Sequence, residues 1–221
     1  MSFKQILLPS LFPLVFFHFS MAQNRTNLEL TEGWKFKKGP VEDAYKVSFD
    51  DTKWETVSVP HDWAIYGPFD KEIDKQIVAI SQNGEEIATE KTGRTGSLPH
   101  IGEAWYRHQL NLPEIDENKQ VLLLFEGAMS EQKVYLNGKK VGEWNYGYNY
   151  FYFDITKDLE KSGKNTLAVH LNNMPESSRW YPGAGLYRKV KLIIKNKESI
   201  AQWGTFITTP LVTDSLAKVN I

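Results

Sequence analysis

The chain has 221 residues, enough for one domain with a substantial core or one domain plus a short additional piece. Its formal net charge of −1 gives no electrostatic case for nucleic acid or for an anionic membrane surface. There is no cysteine, so disulfide frameworks and thiol chemistry are excluded, and seven Trp with ten Tyr make the chain rich in flat rings suited to a β-sandwich core or to a carbohydrate or peptide surface.

Residues 1–22 differ from the rest. Lys4 precedes an apolar run from Ile6 to Phe19, and Ser20-Met21-Ala22 sets small residues before Gln23. This is the pattern of an export signal, too short and too proline-broken to span a bilayer. The mature chain is expected to start at Gln23, in a periplasmic or secreted protein.

The mature chain then reads as a succession of short strands. Leu28–Leu30 and Trp34–Phe36 alternate apolar with polar around Glu32-Gly33, as a first strand and its turn. Trp54 to Val59 alternates again and stops at Pro60. His61-Asp62 follows; a His–Asp pair at a strand end serves either as an acid–base couple or, more commonly, as a corner whose side chains cap backbone groups. Gln76–Ile80 and Glu85–Thr89 flank Asn83-Gly84, a hairpin signal, within an irregular excursion from Tyr66 to His100. Its Gly-rich run Thr92–Gly96 lacks the lysine and helix of a phosphate loop.

From Ala104 the sheet signals strengthen. Trp105, Arg107, Gln109 and Asn111 alternate with Tyr106, His108, Leu110 and Leu112. Gln120–Phe125 is almost continuously apolar, as expected of a strand covered on both faces. Lys133–Leu136, Asn137-Gly138 and Lys139–Trp144 form the clearest hairpin, because Asn-Gly accepts positive φ at both turn positions. Ile155–Leu159 is compatible with one helical turn, and Lys161–Lys164 with a turn before the strand Thr166–Leu171. The chain weakens in pattern near Asn196–Ser199, a linker, and ends on Val219–Ile221, read as the start of a strand without a partner.

Between the strands Thr166–Leu171 and Lys189–Ile194 lies the loop Asn172–Arg188, NNMPESSRWYPGAGLYR. Pro and Gly fix its path, and Arg179, Trp180 and Tyr181 are what it presents. Two readings compete: a packed aromatic turn around a satisfied Arg, or the rim of a site where rings stack on a ligand and Ser, Asn and Arg meet its hydroxyls. Short strands with recurrent turn signals make the whole an all-β sandwich or jelly roll.

The order of motifs VPHDW (Val59–Trp63), TGRTG before AWYR (Ala104–Arg107), FEG (Phe125–Gly127), VYLNGKKVG (Val134–Gly142), FDIT (Phe153–Thr156) and SRWYPGAGLYR (Ser178–Arg188) resembles the N-terminal sugar-binding domain of glycoside hydrolase family 2, within it most of all the bacterial β-galactosidases. WGTF and TTP at Trp203–Pro210 resemble the entry to that family's second, immunoglobulin-like domain. The resemblance implies a galactose-binding-domain-like jelly roll over residues 23–198 and the first strand of an incomplete immunoglobulin-like sandwich over 199–221. It implies the sugar-binding and scaffold portion of a retaining, exo-acting β-galactosidase-like hydrolase. In that family catalysis belongs to a (β/α)8 barrel of about 250 residues, which these residues do not contain. The two carboxylates of the retaining mechanism, about 5–5.5 Å apart, are placed in that barrel, so no catalytic residue is assigned here; Asp62, Glu103 and Glu126 show no paired spacing. Substrate binding is carried to Asn173, Ser177, Ser178, Arg179 and Trp180. Some family members hold a monovalent cation through an Asp in this loop, where this chain has Ser177, Ser178 and Arg179, so no metal and no cofactor is assigned. Expected partners are a β-galactoside or other carbohydrate and the catalytic barrel. Alternatives are a free-standing carbohydrate-binding module, or the same domain of a β-glucuronidase or β-mannosidase.

Overall fold

The computed structural model describes residues 25–67, 69–72, 75–92, 102–112, 114–160, 163–174 and 183–221. Two antiparallel sheets face each other. One has the order β1 (Thr26–Glu29), β12 (Val190–Asn196), β7 (Lys119–Phe125), β10 (Phe151–Asp154). The other runs β3 (Glu55–Val57), β2 (Trp34–Lys38), β6 (Gly102–Leu112), β11 (Gly163–Asn173), β8 (Gln132–Leu136), β9 (Lys139–Trp144). The chain changes sheet at β1–β2, β6–β7, β7–β8, β9–β10, β10–β11 and β11–β12. Repeated crossing of this kind makes the fold a jelly-roll sandwich.

Period-two alternation builds the core between the sheets. Val121, Leu123 and Phe125 of β7 and Val190 and Leu192 of β12 meet Tyr106 and Leu110 of β6, Leu167, Val169 and Leu171 of β11, and Val134 and Leu136 of β8. Each such side chain contributes about 1.5–3 kcal/mol by leaving water. The apolar run expected at Gln120–Phe125 has its explanation on the opposite face. Leu122 and Leu124 point outward, where they cluster with Ile193 and Tyr152. Trp203 packs edge-on against Tyr152 at 5.1 Å, and the buried Lys195 Nζ donates to the Ile200 carbonyl at 2.9 Å, so residues beyond β12 are laid over this face.

The outer face of the longer sheet is covered differently. Trp105 and Ala168 pack with Ala44 and Trp54 from the irregular stretch before β3. Arg107, 1% exposed, anchors that stretch: Nε donates to Asp51 Oδ2 at 2.7 Å, Nη1 to the carbonyls of Ala44 and Lys46, and Nη2 to that of Phe49.

Several sequence expectations need correction. The stretch read as one first strand and turn is two strands in opposite sheets, since β1 pairs with β12 and β2 with β6. The excursion does contain a hairpin, β4 (Lys75–Val78) with β5 (Thr89–Thr92), but the second strand starts later than the Asn83-Gly84 signal implied. A 3-10 turn at Ser81–Asn83, closed by Gly84 at φ +75°, takes up the difference. Ile155–Leu159 forms a turn closed by Asp158 N–H donating to the Ile155 carbonyl, not a helix. Val219 is paired: β14 (Ala217–Asn220) makes an antiparallel hairpin with β13 (Thr208–Val212). The Asn137-Gly138 hairpin is as expected, with φ of +51° and +83° at its turn.

Candidate functional site

The loop after β11 leaves one sheet and enters the other at β12, so its ends lie at one end of the sandwich. The residues read as a sugar rim, Ser177, Ser178, Arg179 and Trp180, lie outside the described residues. Asn173, the fifth, is the last residue of β11 and is fully buried. Its Nδ2 donates to the Gly183 carbonyl at 3.3 Å, which ties the two ends of the loop together.

From Gly183 onward the loop is held on three sides. The first is the corner after β3. His61 N–H donates to the Leu186 carbonyl at 2.8 Å and Trp63 N–H to the Ala184 carbonyl at 3.2 Å. Asp62 Oδ1 accepts from the amides of Ala64 at 3.0 Å and Ala184 at 3.2 Å. This is the capping role expected of the corner, and the carboxylate spans a long stretch of sequence to fill it. The second side is the turn after β7: Met129 and Gly185 exchange a pair of backbone hydrogen bonds at 3.0 and 3.1 Å. The third is the connection between β9 and β10, where the Tyr187 hydroxyl donates to the Gly147 carbonyl at 2.8 Å.

Beneath the loop sits a buried polar pair. The Tyr106 hydroxyl lies 2.7 Å from His61 Nδ1 and also meets the backbone of Leu186. Burial holds the His61 imidazole below its ordinary pKa and pushes the Tyr106 phenol well above its own. A neutral imidazole accepting the phenolic proton fits both directions. Gly185 is required at this crossing. Its φ is +103°, and a Cβ would run into the Tyr106 hydroxyl and stand 2.8 Å from the His61 carbonyl oxygen.

The three carboxylates considered from sequence are all engaged. Glu103 meets His170 Nε2 at 2.9 Å, Glu126 meets Lys191 Nζ at 2.5 Å, and Asp62 holds backbone amides. Around the loop the surface is aromatic: Tyr66, which stacks on His61, and Tyr146 and Tyr150, which flank the Gly147 contact, are more than half exposed. An end that presents rings beside a firmly tethered loop suits a ligand with apolar ring faces and many hydroxyls. Sequence reasoning missed Tyr106 and Tyr187 as loop supports. The inward alternation of Tyr106 was visible; its hydroxyl's target was not.

Comparison with known proteins agrees with this architecture. Residues 28–196 match the family described as glycosyl hydrolases family 2, sugar binding domain. The chain is similar to a β-galactosidase of Bacteroides ovatus, 32% identical over 203 residues, covering 91% of this chain and 22% of that protein. It is equally similar to a protein of Formosa agariphila described as a putative β-glucuronidase, 32% identical over 198 residues, covering 89% of this chain and 17% of the relative. Among solved structures, a β-glycosidase from Bacteroides vulgatus superposes with a TM-score of 0.71 at 32% identity, covering 85% of this chain and 22% of that one. A β-glucuronidase from Bacteroides uniformis gives 0.69 at 30% identity, covering 88% and 21%. The chain thus spans about a fifth of the length of these relatives. With a family model that matches residues 28–196 and a jelly roll shared with solved members, the chain belongs to glycosyl hydrolase family 2, through that family's sugar-binding domain.

Proposed function

We propose that this chain is the sugar-binding and scaffold portion of an exported, retaining, exo-acting β-galactosidase-like hydrolase, acting on terminal β-galactosides together with a catalytic (β/α)8 barrel outside these residues. The observation that supports the reading is that the described ends of the loop, Asn173 and Gly183–Tyr187, are tethered at an aromatic end of the jelly roll. A hydroxyl-rich ligand needs oriented donors and acceptors, because each buried polar group left unpaired costs about 1–3 kcal/mol. Ser177, Ser178, Arg179 and Trp180 form the rim in this proposal, with Asn173 at its base. Residues 1–22 act as an export signal. Residues 199–221 begin an immunoglobulin-like sandwich: among the described residues β13 and β14 pair only with each other, and Val212 and Val219 stand exposed on a hairpin too small to be stable alone, with Phe206 exposed just before it.

A second reading, a β-glucuronidase, is favoured by the similarity to proteins described by that name. The two readings are separated by kcat/KM of the full-length protein on aryl β-galactoside and aryl β-glucuronide. Preference for the galactoside supports the proposal, and preference for the glucuronide replaces it with the second reading. Trp180→Ala is expected to lower kcat/KM at least tenfold; an unchanged value would return the loop to a packing role. The isolated chain is expected to hydrolyse neither substrate, and hydrolysis that tracks it through purification would overturn the placement of the carboxylates.

A further inference from the structure

We infer that Trp144 is the platform of a second carbohydrate site, on the side of the sandwich where β9 and β10 meet, which takes one pyranose ring of a polysaccharide chain. The site goes beyond the proposed function and uses no residue of the loop rim.

Local sequence makes this platform flat. β9 and β10 are the end strands of their sheets. They press together at Gly142, where a Cβ would run into the Phe153 ring. Two residues further along β9, Trp144 lies flat on Phe151, with ring centres 5.6 Å apart and planes 15° apart. Phe151 in turn lies flat on Phe125, at 5.0 Å and 10°. Phe125 and Phe151 are buried, whereas Trp144 is 38% exposed. The three rings form a ladder that starts in the core and ends at solvent, so the last ring is backed firmly and still open.

An indole held in this way suits a sugar. A pyranose ring turns a face of C–H groups to the flat ring and keeps its hydroxyls at the rim, within reach of water and polar side chains. Asn145 and Tyr146, which follow Trp144, are exposed and place an amide and a hydroxyl in the adjoining positions. Size and charge argue against a protein occupant. The open part of the indole is on the order of 100 Å², and the exposed parts of Tyr146 and Tyr150 bring the patch to on the order of 300 Å². A stable protein interface takes about 800 Å² from each partner. The edge at β9 is also charged, with Lys139 beside Asp158 and Lys140 paired to Glu143, which opposes the addition of another strand.

The test is affinity electrophoresis of the full-length protein through gels cast with soluble β-1,4-galactan, xylan or mixed-linkage β-glucan, for wild type, Trp144→Leu and Trp144→Phe. A long polymer offers few chain ends, so retardation reports a site open along the chain. At least one polysaccharide is expected to retard the wild type, and Trp144→Leu, which keeps apolar cover without a flat face, is expected to bind it at least about tenfold more weakly. Its kcat/KM on the better of the aryl β-galactoside and aryl β-glucuronide is expected to stay within about twofold of wild type. Trp144→Phe keeps the ladder but narrows the face, and is expected to lose about two- to fourfold. No retardation of the wild type by any of the three polymers overturns the inference. So does a leucine variant retarded as strongly as wild type. A leucine variant that loses aryl-glycoside turnover in step with retardation overturns it too, because the indole would then belong to the catalytic pocket. If the leucine variant does not fold, unchanged retardation of Trp144→Phe overturns it, and the expected partial loss supports it.

Discussion

Truncation of Arg107 to alanine provides a severe test of how the outer face of the longer sheet is held. The guanidinium is essentially inaccessible and directs a charged donor at Asp51 and further donors at backbone carbonyls of Ala44, Lys46 and Phe49, while lying 5.4 Å from the Phe49 ring centre. Removing it strands a carboxylate and carbonyls that have turned away from water. Breaking a buried ion pair from one side costs about 3–5 kcal/mol. The Asp51 side chain keeps 22% exposure and regains some hydration, which places the expected loss toward the lower end, about 3–4 kcal/mol. With a urea m-value of about 2–3 kcal/mol/M, the unfolding midpoint falls by about 1–2 M at unchanged m. Arg107→Lys keeps the charge but not the planar fork, and is expected to lose roughly half as much. The paired replacement Arg107→Met with Asp51→Leu removes both charges and is expected to be milder than Arg107→Ala alone. A midpoint shift below about 0.3 M for Arg107→Ala would refute the reasoning, because the stretch before β3 would then stay in place without its anchor.

Gly185→Ala is expected to cost about 3 kcal/mol, through positive φ and overlap with Tyr106, and to lower Tm by roughly 6–12 °C; a loss of less than 1 kcal/mol would mean the loop relaxes freely there. Asn137→Ala removes carboxamide bonds to the Asp158 carbonyl, Asn165 Oδ1 and the Thr166 amide, and is expected to cost about 2–3 kcal/mol in urea unfolding. Asn137→Gly, which keeps the turn but not the bonds, should recover little of that loss. The depressed His61 pKa sets a direction with pH. The unfolded chain binds the proton more readily, so this contribution is fully present above about pH 6.5 and is lost as pH falls through the lower folded value. Between pH 7.5 and pH 5, wild type should therefore lose more stability than His61→Asn, and equal losses would show that His61 is not the group responsible.

Much of this molecule is written locally. Alternation at Ala104–Leu112 and Thr166–Leu171 fixes which side chains face the core, and Asn137-Gly138 fixes a hairpin, because side-chain direction has period two and positive φ depends on residue type. The order of motifs likewise carried the family. Pairing partners and long-range anchors were not legible. Nothing near Leu28 tells that β1 joins β12 rather than β2, and nothing near Val219 tells that β14 has a partner, since a strand's pattern specifies its faces and not its neighbour. The Asn83-Gly84 turn was visible but its strand offset was not, because a short connection can absorb residues in a 3-10 turn. At the loop, sequence supplied the candidates Asn173 and Asp62, yet an acceptor oxygen looks the same whether it faces solvent, a sugar or a distant amide. Only folding brought Asp62 to Ala184, Tyr106 to His61 and Arg107 to Asp51, because those bonds join residues far apart in the chain that share a place only after both sheets have closed on the core.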